Sequence, residues 1–93
     1  MSGPIGEDAT PRLVRGVRLH EDRVRGAWVL LAPESMIEAN PVAVEILKRC
    51  DGARTIGEIV TDLATVFNAP RNVIEADVMA FLSDLSAKRL IQP

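Results

Sequence analysis

The sequence has one cysteine, one histidine, no tyrosine and only three aromatic residues, Trp28, Phe67 and Phe81. A single Cys makes no internal disulfide, and one Cys with one His supplies no Cys- or His-rich metal set. The carboxylates that remain for a metal are scattered along the chain. So few aromatics imply an aliphatic core. No apolar run nears the roughly 20 residues that cross a bilayer. The start of the chain carries Glu7 and Asp8 and no apolar segment, unlike a signal peptide. The expectation is a cytoplasmic protein that needs no cofactor and no membrane. Positive charge is not in excess either: 11 Lys and Arg stand against 13 Asp and Glu, a net charge of −2. That balance disfavours a non-specific nucleic-acid binder, which needs clustered cations.

What is present fits one small domain. The 93 residues are 47% apolar and 26% charged, as in ordinary globular chains. A domain of this size buries roughly 60–65% of its unfolded surface, enough for one two-layer core and little room for a deep catalytic pocket. Residues 1–11 read as a flexible amino-terminal tail, punctuated by Gly3, Pro4, Gly6, Thr10 and Pro11, with too few apolar groups to offset the entropy of ordering. Residues 12–93 form the domain.

Val17-Arg18-Leu19-His20 alternates apolar and polar residues, the pattern of a half-buried strand. Glu21 and Asp22 interrupt it, and Val24 to Leu31 follows as a second strand, with no glycine at the break. Trp28-Val29-Leu30-Leu31 lacks polar alternation, so the strand is covered on both faces or keeps one face apolar for another purpose. The amino-terminal tail, a second subunit in a homodimer, or another partner would each serve as cover. Pro33 ends this strand, and Ser35 to Ala39 is a third extended segment bounded by Asn40-Pro41.

The period then becomes helical. Asn40 is an N-cap with Pro41 at the first helical position, followed by Val42, Ala43, Ile46, Leu47 and Cys50. Asp51-Gly52 stops this helix. Thr55-x-x-Glu58 is a capping box, with Ile56, Ile59, Val60, Leu63, Val66 and Phe67 on one apolar face behind it. A third helix starts near Arg71 and runs to about Lys88, with a stripe of Ile74, Val78, Phe81, Leu82 and Leu85. Lys88 and Arg89 sit where the helix dipole favours cations, and Leu90-Ile91 folds back onto the core. The fold class is α+β: a three-stranded antiparallel sheet followed by a three-helix bundle.

Catalytic patterns are lacking. His20 has the phase of a solvated strand residue. Cys50 lies on an apolar stripe at a helix end beside Asp51, where thiolate formation is opposed. Neither a P-loop nor a dinucleotide-binding glycine pattern occurs. The second and third helices could pair as in a winged-helix DNA-binding module. A recognition helix presents Arg, Lys, Asn or Gln at its exposed start. Here Arg71 and Asn72 are followed by Glu75, Asp77 and Asp84, which repel phosphate, so this is the lesser reading. The charge is also divided. Arg12, Arg15, Arg18, Arg23 and Arg25 crowd the first strands, whereas the chain after Leu31 has six basic and nine acidic residues. Arg stems can simply cover strand edges, or the basic half can meet an acidic partner.

Val17-Arg18-Leu19, Trp28-Val29-Leu30-Leu31-Ala32-Pro33-Glu34, Asn40, Ala43, Ile46-Leu47, Cys50-Asp51-Gly52-Ala53-Arg54-Thr55, Asp77-Val78, Phe81-Leu82 and Leu85 in this order resemble the PqqD family of pyrroloquinoline quinone biosynthesis. The resemblance spans about Leu13 to Ile91 and departs at Ala32, often aromatic in the family, and at Ala39, usually Leu. It implies a winged-helix-like, peptide-recognition domain that does no chemistry itself. Its family partners are the precursor peptide PqqA and the radical SAM enzyme PqqE, which crosslinks a Glu and a Tyr of that peptide and holds the iron–sulfur clusters and SAM. It also implies a peptide groove between the third strand and the third helix. Edge strands accept added strands, so the candidate peptide-binding residues are Ser35, Met36, Ile37, Glu38 and Ala39, with Arg71, Glu75, Met79 and Leu82 on the third helix. Met79 is apolar where the periodicity predicts exposure, and Met suits an adaptable groove.

Overall fold

The computed structural model describes residues 6–92. Eight elements follow one another: β1 (Arg12–Leu13), β2 (Arg18–Asp22), β3 (Ala27–Ala32), β4 (Ser35–Ala39), α1 (Pro41–Lys48), α2 (Ile56–Val66), α3 (Arg71–Ala87) and β5 (Ile91–Gln92). Strands β2, β3 and β4 form an antiparallel meander in that order, and β1 pairs with β5 in a separate two-stranded ribbon. The class is the expected α+β one, a three-stranded sheet followed by three helices. The ribbon is additional, and it ties the two ends of the chain together.

The local signals act as their chemistry predicts. Asn40 Oδ1 accepts from the Ala43 N–H at 2.8 Å, and Pro41 opens α1 where its missing N–H removes no bond. Thr55 Oγ1 accepts from the Glu58 N–H at 3.1 Å while the Thr55 N–H donates to Glu58 Oε1 at 2.8 Å, a closed capping box. Helix α3 stops with Arg89 at φ 61°, the Leu90 N–H donating to the Leu85 carbonyl at 2.9 Å. This is the left-handed terminal turn that glycine usually supplies.

The core is aliphatic. Leu30, Ile46, Ile56, Ile59, Val60, Leu63, Val78, Leu82, Leu85 and Ile91 form one buried cluster, with Phe67 and Phe81 only packed against its edge. The sheet offers the face of Leu19, Leu30 and Ile37, which lie in register across the three strands. Its opposite face carries the rows Arg18, Leu31, Met36 and His20, Val29, Glu38. Val29 is only 3% exposed there, flanked across the strands by His20 and Glu38, whereas Met36 is 55% exposed.

Several expectations change. The β2–β3 turn is the four-residue loop Arg23–Gly26, with Gly26 at φ 67°, and not the break at Glu21-Asp22. Val24, expected inside a strand, stands at its tip, 98% exposed. Val66, expected on the buried face of α2, is 52% exposed because the helix ends there. Residues 1–5 of the expected tail lie outside the described residues. From Gly6 onward the chain is laid against the body: Ile56 N–H donates to the Ala9 carbonyl, Gly57 N–H to that of Glu7 and Gly52 N–H to that of Pro11, at 2.9, 2.9 and 3.0 Å. The first two satisfy amides at the start of α2 that have no intrahelical partner. Composition could not show this, because the segment is held chiefly through backbone acceptors, with Ala9 and Pro11 adding small apolar contacts to the body.

Candidate peptide-binding edge and groove

Strand β4 is an edge strand. It pairs with β3 on one side, in the register Trp28↔Ala39, Leu30↔Ile37 and Ala32↔Ser35, and with no strand on the other among the described residues. A two-residue loop, Pro33-Glu34, joins the strands, so Ala32 and Ser35 close the hairpin as a hydrogen-bonded pair. Such pairs alternate. Ile37 and Ala39 therefore also spend their backbone groups on β3. Met36 and Glu38 turn their N–H and C=O groups to the open edge. Their side chains lie on the outer sheet face, while those of Ile37 and Ala39 pack toward the core.

Where β4 runs into α1, a groove of about 330 Å³ opens between the start of α1 and the middle of α3. Asn40, Val42, Ala43 and Ile46 form one wall, and Asp77, Ala80 and Phe81 form the other. Its surface is largely apolar, and Asp77 is its one charged lining residue. A second cavity of about 480 Å³ lies on the opposite face of α1, between Trp28, Val44, Val66 and Phe67. There Lys48 Nζ sits 5.0 Å from the Trp28 ring centroid, a cation–π contact.

The nine residues singled out in the sequence divide. Ser35, Met36, Ile37, Glu38 and Ala39 form the edge strand itself. On α3, Arg71, Glu75, Met79 and Leu82 lie on the flank away from the groove. Arg71 bonds to Glu75 Oε2 at 3.2 Å, to Thr61 Oγ1 of α2 at 3.2 Å and to Glu7 Oε1 at 2.8 Å, which places it on the α2 side. Leu82 is fully buried, and Met79 is half-buried against the core. The helical stripe of α3 has two flanks, and one sequence does not say which faces the start of α1. The α3 residues that line the groove, Asp77, Ala80 and Phe81, are not among the nine. The usable signal was Ala80, a small residue that leaves space beside Phe81.

Ionisable groups respond to structural bonds. Arg49 donates to Glu45 at 2.8 Å and holds its carboxyl below the usual range. The Ala53 and Arg54 amides do the same for Asp51, at 2.9 and 3.0 Å. The Thr55 amide does so for Glu58. Burial, with Asp51 adding to it, pushes the Cys50 thiol up to about 12. No polar or charged residue is buried among the described residues. They hold no group of three or more His, Cys, Asp or Glu side chains that could bind a metal, and no helix is long and apolar enough to cross a membrane.

Comparison with known proteins gives a consistent picture. The family described as coenzyme PQQ synthesis protein D (PqqD) matches residues 27–91. A relative from Xanthomonas axonopodis pv. citri, named PqqA binding protein, is 45% identical over 92 residues, covering 99% of both chains. One of the same name from Rhizobium meliloti is 43% identical over 88 residues, 95% of this chain and 90% of its own. Among solved structures, the PqqD truncation of Methylobacterium extorquens PqqCD matches with a TM-score of 0.79 and 39% identity, over 97% of this chain and 98% of its own. That protein is described as a functional and stand-alone recognition element for ribosomally synthesized and post-translationally modified peptides. PqqD from Xanthomonas campestris matches with a TM-score of 0.62 and 40% identity, over 96% and 99% of the two chains.

Proposed function

The chain belongs to the PqqD family, and from that premise we propose that it is a non-catalytic chaperone for a PqqA-type precursor peptide. The peptide adds as a fourth strand on the outer edge of β4 and is presented to a PqqE-type radical SAM enzyme in the cytoplasm. The chemistry stays with that enzyme, which carries the iron–sulfur clusters and SAM. One observation supports this reading above the others. The backbone groups of Met36 and Glu38 are directed to an open strand edge, and the strand ends at Asn40 on the wall of the groove of Val42, Ala80 and Phe81. Main-chain bonds along such an edge give affinity, and alternate side chains in the groove give selectivity.

Titration of the 15N-labelled chain with the precursor peptide tests it. The amides of Met36 and Glu38 should shift most within β4 and become protected from exchange. Those of Val42, Ala43, Ala80 and Phe81 should shift with them. A bound peptide that leaves all six unchanged places the site elsewhere.

A further inference from the structure

Resting on the strand-addition reading, we propose that Asp77 sets sequence specificity by receiving a lysine or arginine side chain of the bound peptide. A strand laid on β4 sends every second side chain to the sheet face shared by Ile37 and Ala39, and the groove begins at Asn40, the residue that follows the strand. Its walls are the apolar surfaces of Val42, Ala80 and Phe81, and its one formal charge is the Asp77 carboxylate. A long aliphatic stem with a cationic tip matches both properties, the stem covering apolar wall and the tip reaching the acid. Arginine could do so with two parallel bonds.

The other acids of α3 are already engaged. Glu75 is held by Arg71 at 3.2 Å and Asp84 by Lys88 at 3.0 Å. Asp77 has no ion-pair partner among the described residues, and neither has Glu38 on the adjoining strand. A peptide at this edge therefore meets uncompensated negative charge, which favours a cation and disfavours an acid. A purely structural role also exists for Asp77, because a carboxylate near the amino end of α1 complements its dipole. That role would act on stability and would be blind to the charge of the peptide.

Fluorescence anisotropy of a labelled PqqA-type precursor peptide, with each of its basic residues replaced by Glu in turn, separates these roles. Wild-type chain should lose about tenfold or more in affinity for one such peptide, a loss of the size expected for a charge-assisted bond. Asp77→Lys should lose as much for the unmodified peptide and regain affinity for that one swapped peptide alone. Asp77→Asn, which keeps the shape of the side chain, should show an intermediate loss that shrinks at high salt. Equal affinity of wild type and Asp77→Asn for every peptide would overturn the assignment while leaving strand addition intact. So would an Asp77→Lys chain, folded by its melting temperature, that no swapped peptide restores. A wild-type chain that does not bind the unmodified peptide would overturn the strand-addition reading itself.

Discussion

Arg71 Nη2, in the first turn of α3, lies 2.8 Å from Glu7 Oε1, sixty-four residues earlier in the chain. The pair clamps the amino-terminal segment over the start of α2. The hydrogen bond from Arg71 holds the Glu7 carboxyl below the usual range. A depressed acid contributes stability above its unfolded value and loses that contribution as pH falls through the folded one. Both side chains are about half exposed, at 46% and 51%, so solvent screens the pair and global stability barely depends on it. Glu7→Gln should therefore leave the melting temperature almost unchanged while speeding hydrogen exchange at Ile56 and Gly57, whose amides bond to the segment. Wild type should lose the same protection once pH falls below the ordinary glutamate range, where the Arg71-held carboxyl at last takes up its proton. Peptide affinity should stay constant, because the clamp lies on the far flank of α3. Unchanged exchange at both amides would mean that the backbone bonds hold the segment without the ion pair.

A second prediction concerns which proline breaks binding and which breaks the fold. Ile37 spends its N–H on β3, so Ile37→Pro removes a ladder bond inside the sheet and should destabilise the domain. Glu38 directs its N–H to the open edge, where proline is tolerated. Glu38→Pro should keep the melting temperature near that of Glu38→Ala and lose about 1–3 kcal/mol of peptide affinity relative to it, the cost of one unmade main-chain bond and its local distortion. Equal affinities for the two Glu38 variants would show that the peptide does not pair along this edge.

The third contrasts neighbours on α3. Leu82 is fully buried in the cluster of Ile59, Leu63 and Val78, so Leu82→Ala should cost about 2–5 kcal/mol of stability. Any binding loss should disappear when occupancy is corrected for the unfolded fraction. Ala80 is exposed on the groove wall. Ala80→Trp should leave the urea midpoint within experimental error and weaken the peptide at least tenfold by filling the space beside Phe81. If Ala80→Trp binds normally and Leu82→Ala binds poorly while folded, the groove lies on the other flank.

The helices and the edge strand were legible because their signals are local. Asn40-Pro41, the Thr55–Glu58 box and the stripe of Ile74, Val78, Leu82 and Leu85 each act within a turn or two. The β4 segment is bounded by Pro33 and Pro41 in the sequence itself. What stayed hidden depends on distant backbone. The β1–β5 ribbon has two residues per strand, too short to carry a period. The docking of Glu7 and Ala9 rests on carbonyl groups that every residue possesses. Which flank of α3 faces the start of α1 follows from how the helices pack, and periodicity alone does not separate the flank of Arg71, Glu75 and Met79 from that of Asp77 and Ala80.

Cys50 provides a prediction with a definite sign in pH. Its thiol is buried, donates to the Ile46 carbonyl at 3.2 Å, and is pushed up to about 12 by burial and by Asp51. At pH 8 the thiolate fraction is then about a thousandfold lower than for a thiol of the ordinary value of 9.0, and the thiolate is the reactive form. Modification by a disulfide reagent at pH 8 should be slow in the native chain and fast in urea. Because the folded state raises the value, its stability is unaffected below the unfolded value and declines as pH rises from there towards about 12, by about 1.4 kcal/mol per pH unit. Cys50→Ala, which leaves a small cavity, should be less stable than wild type at pH 7. The gap should narrow by about 1 kcal/mol between pH 9 and pH 10 in urea unfolding, because only the wild type carries the titrating thiol. A gap that stays constant over that interval would mean that the thiol is solvated in the folded chain.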